Sequence, residues 1–342
     1  MTETIKITML ADSGAGKTCY MLAMYGGMLT NPHGFSLVAA NRDQDIELQA
    51  LWSNLVQLKG KDRWPQPTLP AQNANPDEAK DTYLYEFLLN YAANPLIKFE
   101  WLDYRGGAIV DFSSKNDVQN LNNYLSNSSC LFLCISGEHL QQSVNNNLAL
   151  AQVNTKANAI NNHLVYLHTT INQRRQKYFP VVITISKYDL CYGKRTREKL
   201  IADVKLLFPS LFVPGSRWIV MICPITLGKK LATNPDTGII KPKNCHLPLI
   251  FALWTKLRED VISSDKTMQQ ITKELANFED MNWLRKWLNN PLIKSKETKL
   301  ENQKKELEDK YNIMKLLILQ LKNAYISIGG KEIELNHNDD YI

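Results

Sequence analysis

The chain has 342 residues, of which 44% are apolar and 22% charged, and its net charge is +6. That is the composition of a globular protein longer than one average domain, with room for a sizeable core and an accessory region. No apolar stretch reaches membrane-span length and the polar start Met-Thr-Glu-Thr lacks a signal peptide's basic and apolar parts; the positive charge is spread without a nucleic-acid motif, so a cytoplasmic protein bound to neither membrane nor nucleic acid is expected.

The first element predicted is a strand over the apolar run Ile5 to Leu10. It feeds Ala11-Asp-Ser-Gly-Ala-Gly-Lys-Thr18, after which Cys19-Tyr-Met-Leu-Ala-Met takes up helical spacing. A strand that enters a glycine-rich turn and leaves it as a helix aims backbone N–H groups, and the positive end of the helix dipole, at one point where a polyphosphate can sit. Ser13, Gly14, Ala15, Gly16, Lys17, Thr18 and Cys19 are therefore the candidate phosphate-binding residues. Lys17 is expected to reach the β and γ phosphates, and the Thr18 hydroxyl to ligate Mg²⁺. The motif G-x-x-x-x-G-K-[ST] usually opens with glycine; Ala11 stands there, at a strand end where a small side chain suffices.

Thr82 to Leu89 and Ile97 to Asp103 read as two strands joined through an Asn94-Pro95 turn, close enough to pair antiparallel. The second delivers Asp103-Tyr-Arg-Gly106. A carboxylate there can hold Mg²⁺ through water, and a bare glycine amide can meet a γ phosphate, although Asp and Gly are also ordinary turn formers after a strand. A helix follows over about Asp117 to Leu125. Ser129 to Ser136, Pro180 to Ser186 and Trp218 to Cys223 are nearly continuous apolar runs, as parallel strands covered on both faces require. Between them lie a long predicted helix, about Gln141 to Gln176, and a shorter one, about Arg195 to Leu207. Strands alternating with helices predict an open α/β sheet with its ligand at the strands' carboxyl ends.

Two further strand ends carry chemistry. Ser186-Lys-Tyr-Asp189 offers a carboxylate that can accept from guanine N1–H and its exocyclic amine, with the Lys187 stem along the base; adenine presents no matching donor pair. Pro224-Ile-Thr-Leu-Gly228 can present a backbone N–H around Thr226 and Leu227 to guanine O6. Six cysteines follow no zinc or disulfide spacing, and Cys130, Cys134 and Cys223 fall in predicted buried strands.

Beyond about residue 262 the composition turns helical. Thr267 to Leu288 and Lys294 to Tyr325 are predicted helices, broken at Asn289-Asn-Pro291. Leu300, Leu307, Met314 and Leu321 recur every seven residues as in a short coiled coil, although a helical hairpin folded on the first domain fits equally. Tyr325 to Leu335 alternates about Gly329-Gly330, as a hairpin does.

With Ala11 to Thr18, Asp103 to Gly106, Ser186 to Asp189 and Pro224 to Gly228 in this order, the chain resembles a Ras-like P-loop GTPase of the broad class that includes translation factors, over roughly residues 4 to 262. It is most similar there to bacterial double-GTPase-like proteins of signalling and conflict systems. The features carrying that narrower likeness are the Gly-Ala-Gly-Lys-Thr ending, an inserted strand and helix at about Phe35 to Leu58, and Trp64-Pro-Gln-Pro-Thr68.

The resemblance implies a three-layer sandwich around a mostly parallel sheet with one antiparallel strand, spanning residues 1–262 with an insertion near 35–60. A helical extension with a short coiled coil and terminal hairpin would fill residues 263–342. It implies a GTP/GDP switch with Mg²⁺ held by Thr18, Thr68 and Asp103, Thr82 being the alternative switch threonine. Lys17, Thr68, Arg105 and Gly106 would serve catalysis. Gly107 stands where many members carry a water-orienting glutamine, which implies slow hydrolysis stimulated by a partner. Partner proteins, including another copy or a related chain, would meet the switch loops and the C-terminal helices, in a signalling or defence setting. A P-loop ATPase or small-molecule kinase, and a nucleotide-stabilised interaction protein with little turnover, are the alternatives.

Overall fold

The computed structural model describes residues 4–12, 14–30, 34–65, 82–104, 115–174, 177–279 and 291–335. Nine strands form one mixed sheet in the order β2-β3-β4-β1-β5-β6-β7-β8-β9. They are β1 Thr4–Ala11, β2 Phe35–Ala39, β3 Thr82–Tyr91, β4 Asn94–Tyr104, β5 Cys130–Ser136, β6 Phe179–Ser186, β7 Trp218–Pro224, β8 Tyr325–Ile328 and β9 Lys331–Ile333. The central strands β4, β1, β5, β6 and β7 run parallel. β2, β3, β8 and β9 add antiparallel pairings on the two flanks. This corrects the expectation of a mostly parallel sheet with one antiparallel strand: four of the eight pairings are antiparallel, because a hairpin flanks the parallel core on each side.

The parallel core follows from the sequence. β5 and β6 are buried at every residue, which only a strand covered on both faces allows. On one face Leu131, Leu133, Ile135, Val181, Ile183 and Ile222 join a core with helices α3 (Lys115–Asn127), α5 (Ala157–Asn172) and α6 (Arg197–Leu207). α5 buries Ala157, Ile160, Leu164, Leu167 and Ile171, alternating steps of three and four that keep one helical face inward. Helix α1 (Lys17–Met28) lies on the other face, where Tyr20 meets Trp101 at 5.7 Å between ring centroids and Trp101 meets Phe132 edge-on at 5.3 Å.

The inserted strand and helix form as β2 and α2 (Arg42–Gln57). Asn41 caps α2 by accepting the Asp43 N–H, and Asp45 ties α2 to α1 and β2 by accepting from Tyr25 Oη at 2.7 Å and from the Ala39 N–H at 3.1 Å. β3 and β4 form the expected hairpin, but its turn is Ala92-Ala93, both left-handed at φ 48° and 66°, and Asn94 and Pro95 already belong to β4. The long helix expected over Gln141 to Gln176 is broken. Asn147 turns its side chain to the Leu150 N–H and caps a short α4 (Leu148–Asn154), and left-handed Lys156 at φ 56° separates it from α5.

Chain packing divides the molecule into two compact units, Met1–Leu249 with Ala324–Glu334, and Ile250–Asn323 with Leu335–Ile342. The terminal hairpin predicted from Gly329-Gly330 forms as β8 and β9, within the main sheet and paired to β7. α7 (Leu247–Glu279) runs from the first unit into the second, where α8 (Pro291–Leu321) lies alongside it, with Lys310 Nζ 3.9 Å from Asp260 Oδ2. Along α8, Leu300 and Leu307 are half-buried, and Met314 and Leu321 buried. Among the described residues no helix is long and apolar enough to cross a membrane.

Candidate functional site

β1 ends at Ala11, and the chain turns at once, the Ala15 N–H donating to Asp12 O at 3.2 Å. Gly14 and Gly16 have φ 76° and 89°, and a Cβ at either would meet nothing within 4 Å. Glycine is therefore required by backbone conformation and not by crowding. Gly16 caps α1 without a side-chain hydrogen bond, and the first turn holds no acidic residue, so no carboxylate of that turn offsets the positive end of the helix dipole. Lys17 opens the helix and curls back, Nζ to Ala11 O at 3.4 Å, which holds its ammonium over the loop. Ser13 lies outside the described residues.

The rest of the site gathers at the same edge of the sheet. Ser136 of β5 pairs in register with Ser186 of β6, and Ile185 of β6 with Pro224 of β7. On the other side of β1, Asp103 of β4 pairs with Met9, so it too comes to this edge. Ser186 joins the two motifs: its buried Oγ donates to Ala15 O at 2.6 Å, across 171 residues of sequence, and lies 3.3 Å from Ile135 O. A serine thus spans from the end of β6 to the glycine-rich loop after β1.

Lys187 is left-handed at φ 47°, and its Nζ meets Glu138 Oε2 at 2.8 Å. Glu138 also accepts from Ser136 Oγ at 3.0 Å. Partial burial alone would raise the Glu138 carboxyl, but the hydrogen bond and charge of Lys187, with Ser136 and His139, bring it below the ordinary glutamate value. Gly137 lets the loops close, since a Cβ there would stand 2.8 Å from Lys187 O.

Asp189 is held by its own chain: Oδ2 accepts the Ala232 N–H at 3.0 Å, and Oδ1 lies 3.5 Å from Thr226 Oγ1. The Thr226 hydroxyl makes its shorter bond to Gly228 O, at 2.9 Å, so Oδ1 keeps most of its capacity to accept. The Thr226 amide donates to Lys243 O at 3.3 Å in a bridge between the two residues. Of the two amides expected to meet a base oxygen, that of Thr226 is thus already engaged.

Burial raises all six thiols above their ordinary value. Burial pushes Cys19 up to about 12 against the pull of Lys187, and Cys245 likewise to about 12. Among the described residues no cluster of His, Cys, Asp and Glu could hold a metal by itself. A nucleotide-borne Mg²⁺ does not need one, because phosphate and water supply most of its ligands; Thr18, in the first turn of α1, and Asp103, on the adjacent strand, are the residue types it takes. Thr68, Arg105 and Gly106 lie outside the described residues. The structure therefore brings Gly14 to Cys19, Asp103, Lys187, Asp189, Thr226 and Leu227 to one edge.

Sequence reasoning missed Glu138, Ala232 and Arg63. Arg63, in a short turn over Gly60–Arg63 after α2, is 4% exposed, and its Nη1 donates to Pro235 O at 3.1 Å and Gly238 O at 2.7 Å. With partners 172 and 175 residues away, no local pattern marks it.

No protein-family model matches the sequence, and no curated protein matches it. Among solved structures, the Saccharomyces cerevisiae Ski7 GTPase-like domain bound to GTP is similar at 15% identity and TM-score 0.36, over 65% of this chain and 43% of that one. The signal recognition particle receptor SRb-GTP/SRX complex from Chaetomium thermophilum is similar at 17% identity and TM-score 0.33, over 59% and 78%. Sup35 complexed with GDP is similar at 10% identity and TM-score 0.31, over 66% and 38%. The match thus spans under half of the Ski7 and Sup35 chains. At such scores the function rests on the geometry of the site.

Proposed function

We propose that the chain is a guanine-nucleotide switch that takes GTP or GDP with Mg²⁺ at this edge of the sheet, hydrolyses GTP slowly, and changes its hold on partner proteins with the nucleotide state. The observation that carries the reading is the 2.6 Å bond from Ser186 Oγ to Ala15 O, because it makes the phosphate loop and the strand end bearing Lys187 and Asp189 parts of one site.

In this reading the main-chain amides from Gly14 to Thr18 bind the phosphate tail, and Lys17 adds a charge-assisted contact that strengthens as charge builds on the transferring group. Asp189 accepts from guanine N1–H and the exocyclic amine, the Leu227 amide meets O6, and the Lys187 stem lies along the base. Thr18 and Asp103 would hold Mg²⁺, which when bound neutralises phosphate charge. With Gly107 where a glutamine would orient water, hydrolysis is slow and calls on a partner's group or on Arg105. Partners engaged through the loops around Thr68 and Asp103 to Asp111 and through the C-terminal helices, in a bacterial signalling or defence setting, complete the proposal; that part rests on the sequence resemblance.

The test is competition for labelled GTP. Excess GTP should displace it and equal ATP should not, and Lys17→Ala should weaken GTP about a hundredfold, the loss of a charge-assisted phosphate contact. Equal displacement by ATP would make the protein a P-loop ATPase instead. Binding without turnover, alone or with partners, would make it a nucleotide-stabilised interaction protein.

A further inference from the structure

The carboxylate that selects the base is not positioned by its own loop alone. Asp189 Oδ2 accepts the Ala232 N–H at 3.0 Å, so the aim of the carboxylate depends on where the segment from Lys229 to Gly238 lies. That segment is held at both ends. At its base, Thr226 and Lys243 exchange backbone bonds, and the Lys241 N–H donates to Leu227 O at 2.7 Å. At its tip, the Gly238 N–H donates to Asn234 O at 2.9 Å, and both Pro235 O and Gly238 O accept from Arg63.

Arg63 is suited to that task. It is 4% exposed, and among the described residues no carboxylate pairs with it; its Nη1 is met by the two carbonyl oxygens and its guanidinium by the Trp64 ring, 5.9 Å away, while Nε has no hydrogen-bond partner there. The turn that carries it follows α2, and α2 is clamped to the phosphate-loop helix through Asp45 and Tyr25.

We propose that Arg63 is a positioning residue for base recognition: through Pro235 O and Gly238 O it sets the loop whose Ala232 amide aims Asp189, so that the turn following the inserted β2–α2 segment buttresses guanine selectivity. This rests on the reading of Asp189 as the guanine acceptor. It adds a function for the insertion, which touches neither phosphate nor base in that reading.

The test compares GTP, ITP and inorganic tripolyphosphate, each with Mg²⁺, in equilibrium titrations of the full chain as wild type, Arg63→Met and Arg63→Lys. ITP lacks the exocyclic amine that one carboxylate oxygen accepts, so the GTP to ITP ratio reports the aim of Asp189, whereas tripolyphosphate reports only the phosphate loop. In Arg63→Met the ratio should fall about tenfold, the size of one well-placed charged hydrogen bond, with tripolyphosphate affinity unchanged. Arg63→Lys should recover part of the ratio, since an ammonium can still reach one carbonyl.

A wild-type ratio kept by both variants would overturn the proposal while leaving the guanine reading intact. So would a parallel fall in tripolyphosphate affinity, which a general loosening of the fold would give. If Arg63→Met does not fold, Arg63→Lys decides alone: an unchanged ratio overturns the proposal, and a lowered ratio with intact tripolyphosphate binding sustains it. A wild type that binds tripolyphosphate but does not distinguish GTP from ITP would overturn the guanine reading, and this inference with it.

Discussion

The loop proposed to bind phosphate and the corner around Asp189 proposed to read the base lie at one edge of the same sheet, yet they are built in opposite ways. The loop is a run of consecutive residues, and its shape comes mainly from local backbone, two left-handed glycines, a tight turn and a helix start, with one distant brace from Ser186 to Ala15 O. The corner is assembled from Glu138, Lys187, Asp189, Thr226 and Ala232, with Arg63 behind it, and its shape comes from hydrogen bonds between distant segments. Local sites are robust to changes elsewhere in the chain. Assembled sites inherit the stability of every segment that props them.

Ser186 is where the two meet, and removing it is the harshest way to break the comparison. Ser186→Ala leaves Ala15 O, buried at the turn, with only the weak Cys134 Sγ donor at 3.6 Å, and should destabilise the fold by about 1 to 2 kcal/mol, read as a lowered denaturant midpoint at unchanged m-value. Tripolyphosphate affinity should fall along with GTP affinity, since the lost bond braces the loop itself. Unaltered stability would mean that the two regions stand independently.

A gentler change sharpens the contrast. Glu138 touches only the corner, and Lys187 holds its carboxyl below the ordinary value of 4.5. A carboxyl with a depressed folded value contributes stability that is present above the unfolded value and lost as the pH falls through the folded one. Wild type should therefore exceed Glu138→Gln by about 0.5 kcal/mol at neutral pH, a small margin because Glu138 is half-exposed. That gap should close as the pH drops below 4.5, as thermal unfolding across pH would show. A gap that persists in acid would assign the stability to packing and not to the Lys187 pair.

The same division explains what could be read from the sequence. The strand, glycine turn and helix start from Ile5 to Thr18, the buried parallel strands and the β2–α2 segment were legible because each is written in neighbouring residues. The two flanking hairpins make the point together: Gly329-Gly330 announced its turn, whereas Ala92-Ala93 reaches the same left-handed conformation with residues that do not favour it, and the Asn94-Pro95 signal misplaced the turn. The helix expected from Gln141 to Gln176 failed for a related reason. Its polar periodicity continued through Asn145-Asn-Asn147, where Asn147 prefers to cap. The pairing of β8 with β7 and the reach of Arg63 to Gly238 depend on contacts across more than 90 residues, and no window of sequence contains them.

The central claim is that one carboxylate at the corner reads guanine while the loop reads only phosphate. The most direct measurement is equilibrium binding of GTP, XTP and tripolyphosphate to wild type and Asp189→Asn. Xanthine carries a carbonyl where guanine has its amine, and an amide donor can meet that carbonyl. The substitution should weaken GTP about a hundredfold, strengthen XTP, and leave tripolyphosphate unmoved. Unchanged GTP affinity in Asp189→Asn, with tripolyphosphate still bound, would contradict the account.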